Sequence, residues 1–149
     1  MHIVLYKPDI PQNTAAIIRL GACLNLSVHL IEPCGFNLND SRFKRVVMDY
    51  ASLCKVVRHN DFETFKKKYR KSRIVLMTTK AKKLYHKFKF KKNDMLLFGR
   101  ESAGVPDNVH KVVDHRLTIP MKEGVRSINL SSSVALVLGE GLRQTNKIN

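Results

Sequence analysis

The sequence predicts an α/β protein: a mostly parallel sheet with helices on both faces. Three observations predict it. β-rich segments alternate with helical ones along the chain. Two short runs, Ile74–Met77 (IVLM) and Met95–Phe98 (MLLF), are wholly apolar, as strands buried on both faces are. Unusual residues also follow three strand ends, Met77-Thr78-Thr79, Gly99-Arg100-Glu101 and Ile119-Pro120-Met121, where such sheets bind ligands.

Each element has a local reason. His2–Tyr6 alternates and is β-rich, a first strand, and Pro8 and Pro11 mark the loop after it. Gln12-Asn13-Thr14 starts a helix that continues through Ala15–Leu24 with Arg19 as its only charge; Asn25 ends it. Ser27–Glu32 is a second strand, closed by Pro33 and Gly35. Asn39 or Asp40 can cap a basic amphipathic helix that runs to about Tyr50. Lys55–Arg58 suits a short strand. Asp61 caps a helix from Phe62 to Tyr69, with Phe62, Phe65 and Tyr69 at helical spacing. Ile74–Thr78 is an apolar strand. Lys80–Lys92 alternates in part and suits an edge segment. Met95–Phe98 ends at Gly99, and Pro106–Val113 is a helix with proline in its first turn. Arg116–Ile119 is a strand, and Ser127 to about Gln144 the last helix. With no repeat and no linker, residues 1–149 are expected to form one domain.

Composition narrows the function. The net charge is +15, and Lys66–Lys92 holds thirteen Lys or Arg with no Asp or Glu. A polyanion partner, nucleic acid above all, fits that placement; a solvated lysine-rich face is the plain alternative. No apolar run approaches ~18 residues, which argues against a membrane span. Met1–Tyr6 has no basic lead and no cleavage pattern, so it reads as a strand and not a signal peptide. The three cysteines, Cys23, Cys34 and Cys54, lack CxxC spacing, which fits reduced thiols in a cytoplasmic protein and argues against zinc. No GxGxxG follows the first strand, no GKS or GKT occurs, and the six histidines are scattered.

The stretch Leu117–Leu142 organises the rest. A strand ends at Ile119-Pro120-Met121, a turn holds Gly124, and Ser127-Ile128-Asn129-Leu130-Ser131 opens the last helix. The free N–H groups of a first helical turn can hold a ligand, and Ser127 and Asn129 can cap or reach into that space. Gly99 and Gly104, in GRESAGVP, let backbone approach a ligand, or simply make an ordinary turn into a helix. Arg19 stands alone on an apolar helix and reads equally as a surface residue. Asn13 is six positions earlier, ~600° of turn, so the two cannot share a helical face, and Asn13 is expected to act from the cap.

Three segments, PQNTAAIIRLGACLN, LLFGRESAGVP and IPMKEGVRSINLSSSVALVLGEGLRQ, resemble in order and spacing the motifs of the SpoU branch of the SPOUT methyltransferase superfamily. The opening HIVLYKPDIPQNTAAIIRL, with HLIEPCGF, DYA and LMTTK, is similar to one subfamily, the TrmL-type tRNA (cytidine/uridine-34)-2'-O-methyltransferases. The likeness covers nearly the whole chain; the lysine-rich stretch around 80–92 departs from it. Ala15 stands where the family commonly has glycine, and Arg100 where it frequently has proline.

The resemblance implies a C-terminal trefoil knot, which physics alone would not propose. It implies S-adenosyl-L-methionine as co-substrate, with no metal, held by Met77, Gly99, Ile119 and Ser127 with Met121 and Leu130 beside them. It implies methyl transfer to the ribose 2'-oxygen of nucleotide 34 in tRNA, in leucine isoacceptors, by a cytoplasmic homodimer whose active site is completed at the subunit interface. Arg19 is the family's catalytic arginine, and Asn13, Glu101 and Asn129 are its companions. An arginine is a poor literal base, because a guanidinium pKa exceeds ~12, so its charge is expected to stabilise the developing alkoxide or hold a phosphate. Asn13 and Asn129 are expected to position, and Glu101 to hold Arg19 or the loop. The requirement for a 2'-hydroxyl excludes DNA at the reacting sugar. The anticodon stem-loop would lie on the methyltransferase body itself, with Lys66–Lys92 of both subunits against it. Two alternatives stay open: a SpoU enzyme acting at another tRNA position or on rRNA, and a non-catalytic basic RNA-binding protein.

Overall fold

Six strands form one sheet, in the order β3-β2-β1-β5-β4-β6, and every neighbouring pair is parallel. The structure is a computed structural model that describes residues 1–145. The strands are β1 (His2–Tyr6), β2 (Val28–Ile31), β3 (Val56–His59), β4 (Ile74–Met77), β5 (Met95–Phe98) and β6 (His115–Leu117). The helices are α1 (Pro11–Cys23), α2 (Ser41–Ala51), α3 (Phe62–Lys68), α4 (Asp107–Val112) and α5 (Leu130–Gln144). The two apolar runs, β4 and β5, are inner strands, buried at every position.

Strand side chains alternate between two cores, as a pleat requires. Ile3, Leu5, Leu96 and Phe98 face one way, with Ile17 of α1 and Val134, Val137 and Leu138 of α5. Val4, Tyr6, Met95 and Leu97 face the other, with Phe62 and Phe65 of α3 and Val109 of α4. Burying an aliphatic side chain of this kind contributes about 1.5–3 kcal/mol. Both faces are therefore closed, and a ligand is left the strand ends.

Several elements differ from the sequence reading. α1 begins at Pro11 behind Ile10, whose side chain makes no cap, so Asn13 is the helix's third residue and not its cap. Asp40 and Asp61 cap α2 and α3 by accepting from Arg42 N and Thr64 N. Pro106 precedes α4 as its cap residue. β6 starts one residue before the expected Arg116 and stops at Leu117. α5 starts at Leu130, three residues after Ser127, because Asn129 Oδ1 satisfies the N–H groups of Ser131 and Ser132. The Lys80–Lys92 segment is not an edge strand: apart from a single parallel bridge, Leu84 with Thr118, it carries a 3-10 turn at Tyr85–Lys87. Its alternation serves packing instead, since Phe88 and Phe90 are buried while Gln144 Nε2 donates to Phe88 O and Phe90 N donates to Gln144 Oε1.

Candidate active site

A cavity of about 800 Å3 lies at the carboxyl ends of β1, β5, β4 and β6. The chain winds to β3 on one side of β1 and then crosses to β4 beyond β5, so the loops after β1 and β5 part to opposite sides. Such a switch point leaves a crevice at the strand ends. Met77, Ile119, Met121 and Leu130 give it apolar walls, and Gly99 and Ser127 line it too. Lys80, Arg100 and Arg126 are its cations, and Asn13, Glu101 and Asn129 are among its polar groups.

Those three side chains form one hydrogen-bonded line. Glu101 accepts from Asn13 Nδ2 at 3.2 Å, and from the backbone N–H groups of Asp9 at 2.7 Å and Ile10 at 3.3 Å. Asn13 Oδ1 accepts from Asn129 Nδ2 at 3.0 Å. Asn129 Oδ1 accepts from Ser131 N at 2.9 Å, Ser132 N at 3.3 Å and the Ser131 hydroxyl at 2.7 Å. An ionised carboxylate only accepts and backbone N–H groups only donate, so the two ends of the line dictate which way both amides point.

A second connection answers the first. Glu101 reaches from the β5 loop to the β1 loop, and Asp9 reaches back. Asp9 pairs with the Arg100 guanidinium and accepts from Ser102 N at 3.0 Å and the Ser102 hydroxyl at 2.6 Å. The hydrogen bond from Arg100, then those from Ser102, hold the Asp9 carboxyl well below the usual carboxylate range. Lys7, with φ of 45°, turns the chain off β1 toward this latch. Asp9, Arg100 and Ser102 were absent from the sequence-based site. The available signals were Asp9's place just past a strand end and the arginine where the resemblance favours proline.

The glycines of GRESAG serve the loop itself. A Cβ on Gly99 would lie 2.6 Å from Gly104 Cα, and Gly104 has φ of 65°. Arg100 and Gly104 exchange both backbone hydrogen bonds, at 3.1 and 2.9 Å, and this closes the hairpin over Gly99. The close approach expected here is therefore first of backbone to backbone.

Arg19 is the one expected site residue that the chain does not bring to the cavity. It is exposed on α1, its guanidinium carbon 5.0 Å from the centre of the Tyr50 ring of α2. Asn13 faces the cavity from the same helix, and six residues turn Arg19 about 120° away and about 9 Å along the axis. Among the described residues, no group of three or more His, Cys, Asp or Glu is placed to hold a metal ion, and no helix is long and apolar enough to cross a membrane.

The profile of the SpoU rRNA Methylase family matches residues 1–139. The chain belongs to this family. It is 44% identical over 145 residues to a tRNA (cytidine(34)-2'-O)-methyltransferase of Ancylobacter novellus, covering 96% of this chain and 92% of that one. It is 37% identical over 146 residues to the Escherichia coli K12 protein of the same description, covering 97% and 93%. A solved structure described as concerning the 2'-OH methylation of C/U34 on tRNA superposes with a TM-score of 0.90 at 36% identity, covering 96% of this chain and 94% of that one. Within this SpoU chain the cavity residues come from the loop after β1, from α1, α4 and α5, and from the ends of β4 and β5 with the loops after β4, β5 and β6, so the site exists only in the folded chain.

Proposed function

We propose that this SpoU protein transfers the methyl group of S-adenosyl-L-methionine to the ribose 2'-oxygen of nucleotide 34, a cytidine or modified uridine, in tRNA. The observation that carries it is the meeting of nine of the ten sequence-predicted site residues in one cavity, beside relatives described as acting at that nucleotide.

The cavity suits the methyl donor. Its volume of about 800 Å3 is that of a small-molecule site, and its apolar walls with a few convergent polar groups suit an adenosine with a charged tail. Met77, Gly99, Ile119, Met121, Ser127 and Leu130 hold it; Asn13, Glu101 and Asn129 set the shape of the polar side. In the reaction the carbon–sulfur bond breaks, a carbon–oxygen bond forms, and the hydroxyl proton leaves to an acceptor. The donor is already activated, so the protein chiefly aligns the partners and stabilises the oxygen as it gains charge. No step needs a metal.

Arg19 supplies that charge from a second copy of the chain. α1 packs on α5, and both carry exposed small or apolar residues, Ala16 on α1 and Ala135, Leu136 and Gly139 on α5, beside the exposed Arg19 and Arg143. Two copies meeting on this surface place each Arg19 toward the other's cavity, which one chain cannot do. The active unit is thus a homodimer of single-domain subunits working in the cytoplasm on the tRNA anticodon stem-loop, with no DNA and no membrane involved. The C-terminal half is threaded as a trefoil knot. The segment 79–92, fastened by Leu84 to Thr118 and by Phe88 and Phe90 to Gln144, supports that reading.

Incubation of the protein with labelled S-adenosyl-L-methionine and tRNA tests the proposal. Label at the 2'-oxygen of nucleotide 34 is the expected result. Label at another tRNA position or in rRNA moves the substrate within the SpoU family, and tRNA binding without transfer makes the protein a non-catalytic binder.

A further inference from the structure

The net charge of +15 is not confined to the cavity, which Lys80, Arg100 and Arg126 line. All strands are parallel, so the cavity lies at their carboxyl ends, and the chain enters every strand at the opposite end. α3 runs back from the end of β3 to the start of β4, which carries Lys66–Lys68, Arg70 and Lys71 to that far end. The crossover from β4 to β5 divides in the same way. Lys80 lines the cavity, but the later part has reached the far end: Arg73 Nη2 donates to Lys89 O at 3.2 Å, and Lys91 N donates to Asp94 Oδ2 at 2.8 Å.

Lys67, Lys68, Arg70, Lys71, Lys89 and Lys91 are all exposed there. Two of the carboxylates near them are engaged. Asp94 is buried and takes two hydrogen bonds from Arg73, and Asp114 accepts from Ile74 N. A four-residue strand spans about 13 Å. That exceeds the Debye length of about 8 Å at physiological ionic strength, so these cations are screened from a phosphate in the cavity. They need phosphates of their own.

We infer that this far end is a second RNA contact, which grips the backbone of the same tRNA at phosphates remote from the methylated nucleotide. The inference rests on the tRNA methyltransferase reading. RNA suits the surface better than an acidic membrane does, because a membrane-binding face pairs its cations with apolar anchors. Of the exposed large apolar residues, Leu53 and Val112 also come to this end, before β3 and β6, but none lies within residues 66–92, which carry the cations.

The test uses the whole protein carrying Lys67→Ala, Lys71→Ala and Lys91→Ala together, all at exposed sites. Affinity for intact tRNA is measured over a series of KCl concentrations, and kcat and KM are measured separately. The slope of log affinity against log salt should shrink by about 2–3, since each lost phosphate contact removes roughly 0.7–0.9. KM should rise about tenfold or more while kcat at saturating tRNA stays within about twofold. An unchanged slope and KM overturn the inference. So does loss of binding to phosphatidylserine vesicles with tRNA affinity intact, which would make the surface a membrane contact. Absence of transfer by the unsubstituted protein overturns the enzyme reading beneath it, a failure visible before any variant is made.

Discussion

Asn13 and Asn129 stand 116 positions apart in the chain and share a hydrogen bond of 3.0 Å. The first is oriented by Glu101, the second by the start of α5, and each leaves the other a single workable orientation. Asn13→Asp keeps the shape and destroys this logic, because a carboxylate cannot donate to Glu101. The expected cost is about 1–3 kcal/mol of stability, since buried polar groups lose their partners. Methyl transfer should fall by about 100-fold, as misplacement of a site by an ångström does. Urea unfolding and a single-turnover assay check both; a variant with normal turnover would remove Asn13 from the site.

Arg19→Ala should abolish turnover and leave binding of S-adenosyl-L-methionine near normal, because the residues proposed to hold the methyl donor, Met77, Gly99, Ile119, Met121, Ser127 and Leu130, do not include it. Mixing Arg19→Ala with Asn129→Ala subunits tests where the arginine acts. If it crosses to the partner, half the dimers in an equal mixture are hybrids with one intact site, and roughly a quarter of full activity returns. If it acts within its own chain, the same hybrids again retain one wholly intact subunit only when that subunit carries neither change, which none does, and the mixture stays inactive.

The latch between Asp9 and Arg100 predicts a dependence on acid. Its partners depress the Asp9 pKa below the ordinary value of 3.8, so its contribution is present above that value and is lost as pH falls below it. Asp9→Asn should cost about 1.5–3 kcal/mol near neutrality, the range for hydrogen bonds to a charged group. The gap from the unsubstituted protein should narrow below about pH 4 in denaturation curves.

A histidine network that starts at the far end and runs through β2 to the last residue of β3 acts in a different window. His2 Nδ1 lies 2.6 Å from Ser27 Oγ, which lies 3.2 Å from His29 Nε2, and His29 Nδ1 lies 3.0 Å from His59 Nε2. A nitrogen-to-nitrogen hydrogen bond needs a lone pair, so one of the last two rings is neutral. Burial, then the neighbouring His2 and His59, push His29 down from 6.5 to about 3. The unfolded chain then takes up a proton that the folded one refuses, so stability falls as pH drops from about 6.5 toward 3. The loss is about 2 kcal/mol at pH 5. His29→Gln should flatten that slope between pH 7 and 5 in urea titrations; an unaltered slope would exonerate the ring.

Much of this was legible in the sequence, for reasons tied to particular residues. β4 and β5 were readable because a strand covered on both faces has no polar position to break the run. Asp40 and Asp61 were readable as caps because the chemistry is local. The Lys80–Lys92 segment misled because Phe88 and Phe90 alternate to bury their rings in the core while their backbone bonds Gln144, and not to pair in a sheet. The cavity residues were named through resemblance; no local pattern joins Asn13 to Asn129. The Asp9 latch spans 91 residues to Arg100 and leaves no local trace. Arg19 could be named but not placed, since one helix cannot turn both it and Asn13 to one cavity.

The order in which the polypeptide emerges during translation now matters. A ribosome-tethered chain displays Asn13 and Glu101 long before Asn129 and the fifteen-residue α5 have been made. Until then the Asn13 carbonyl lacks its donor and one side of the crevice does not exist. A product that ends before Asn129 is therefore expected to leave the crevice unfinished and to transfer no methyl group.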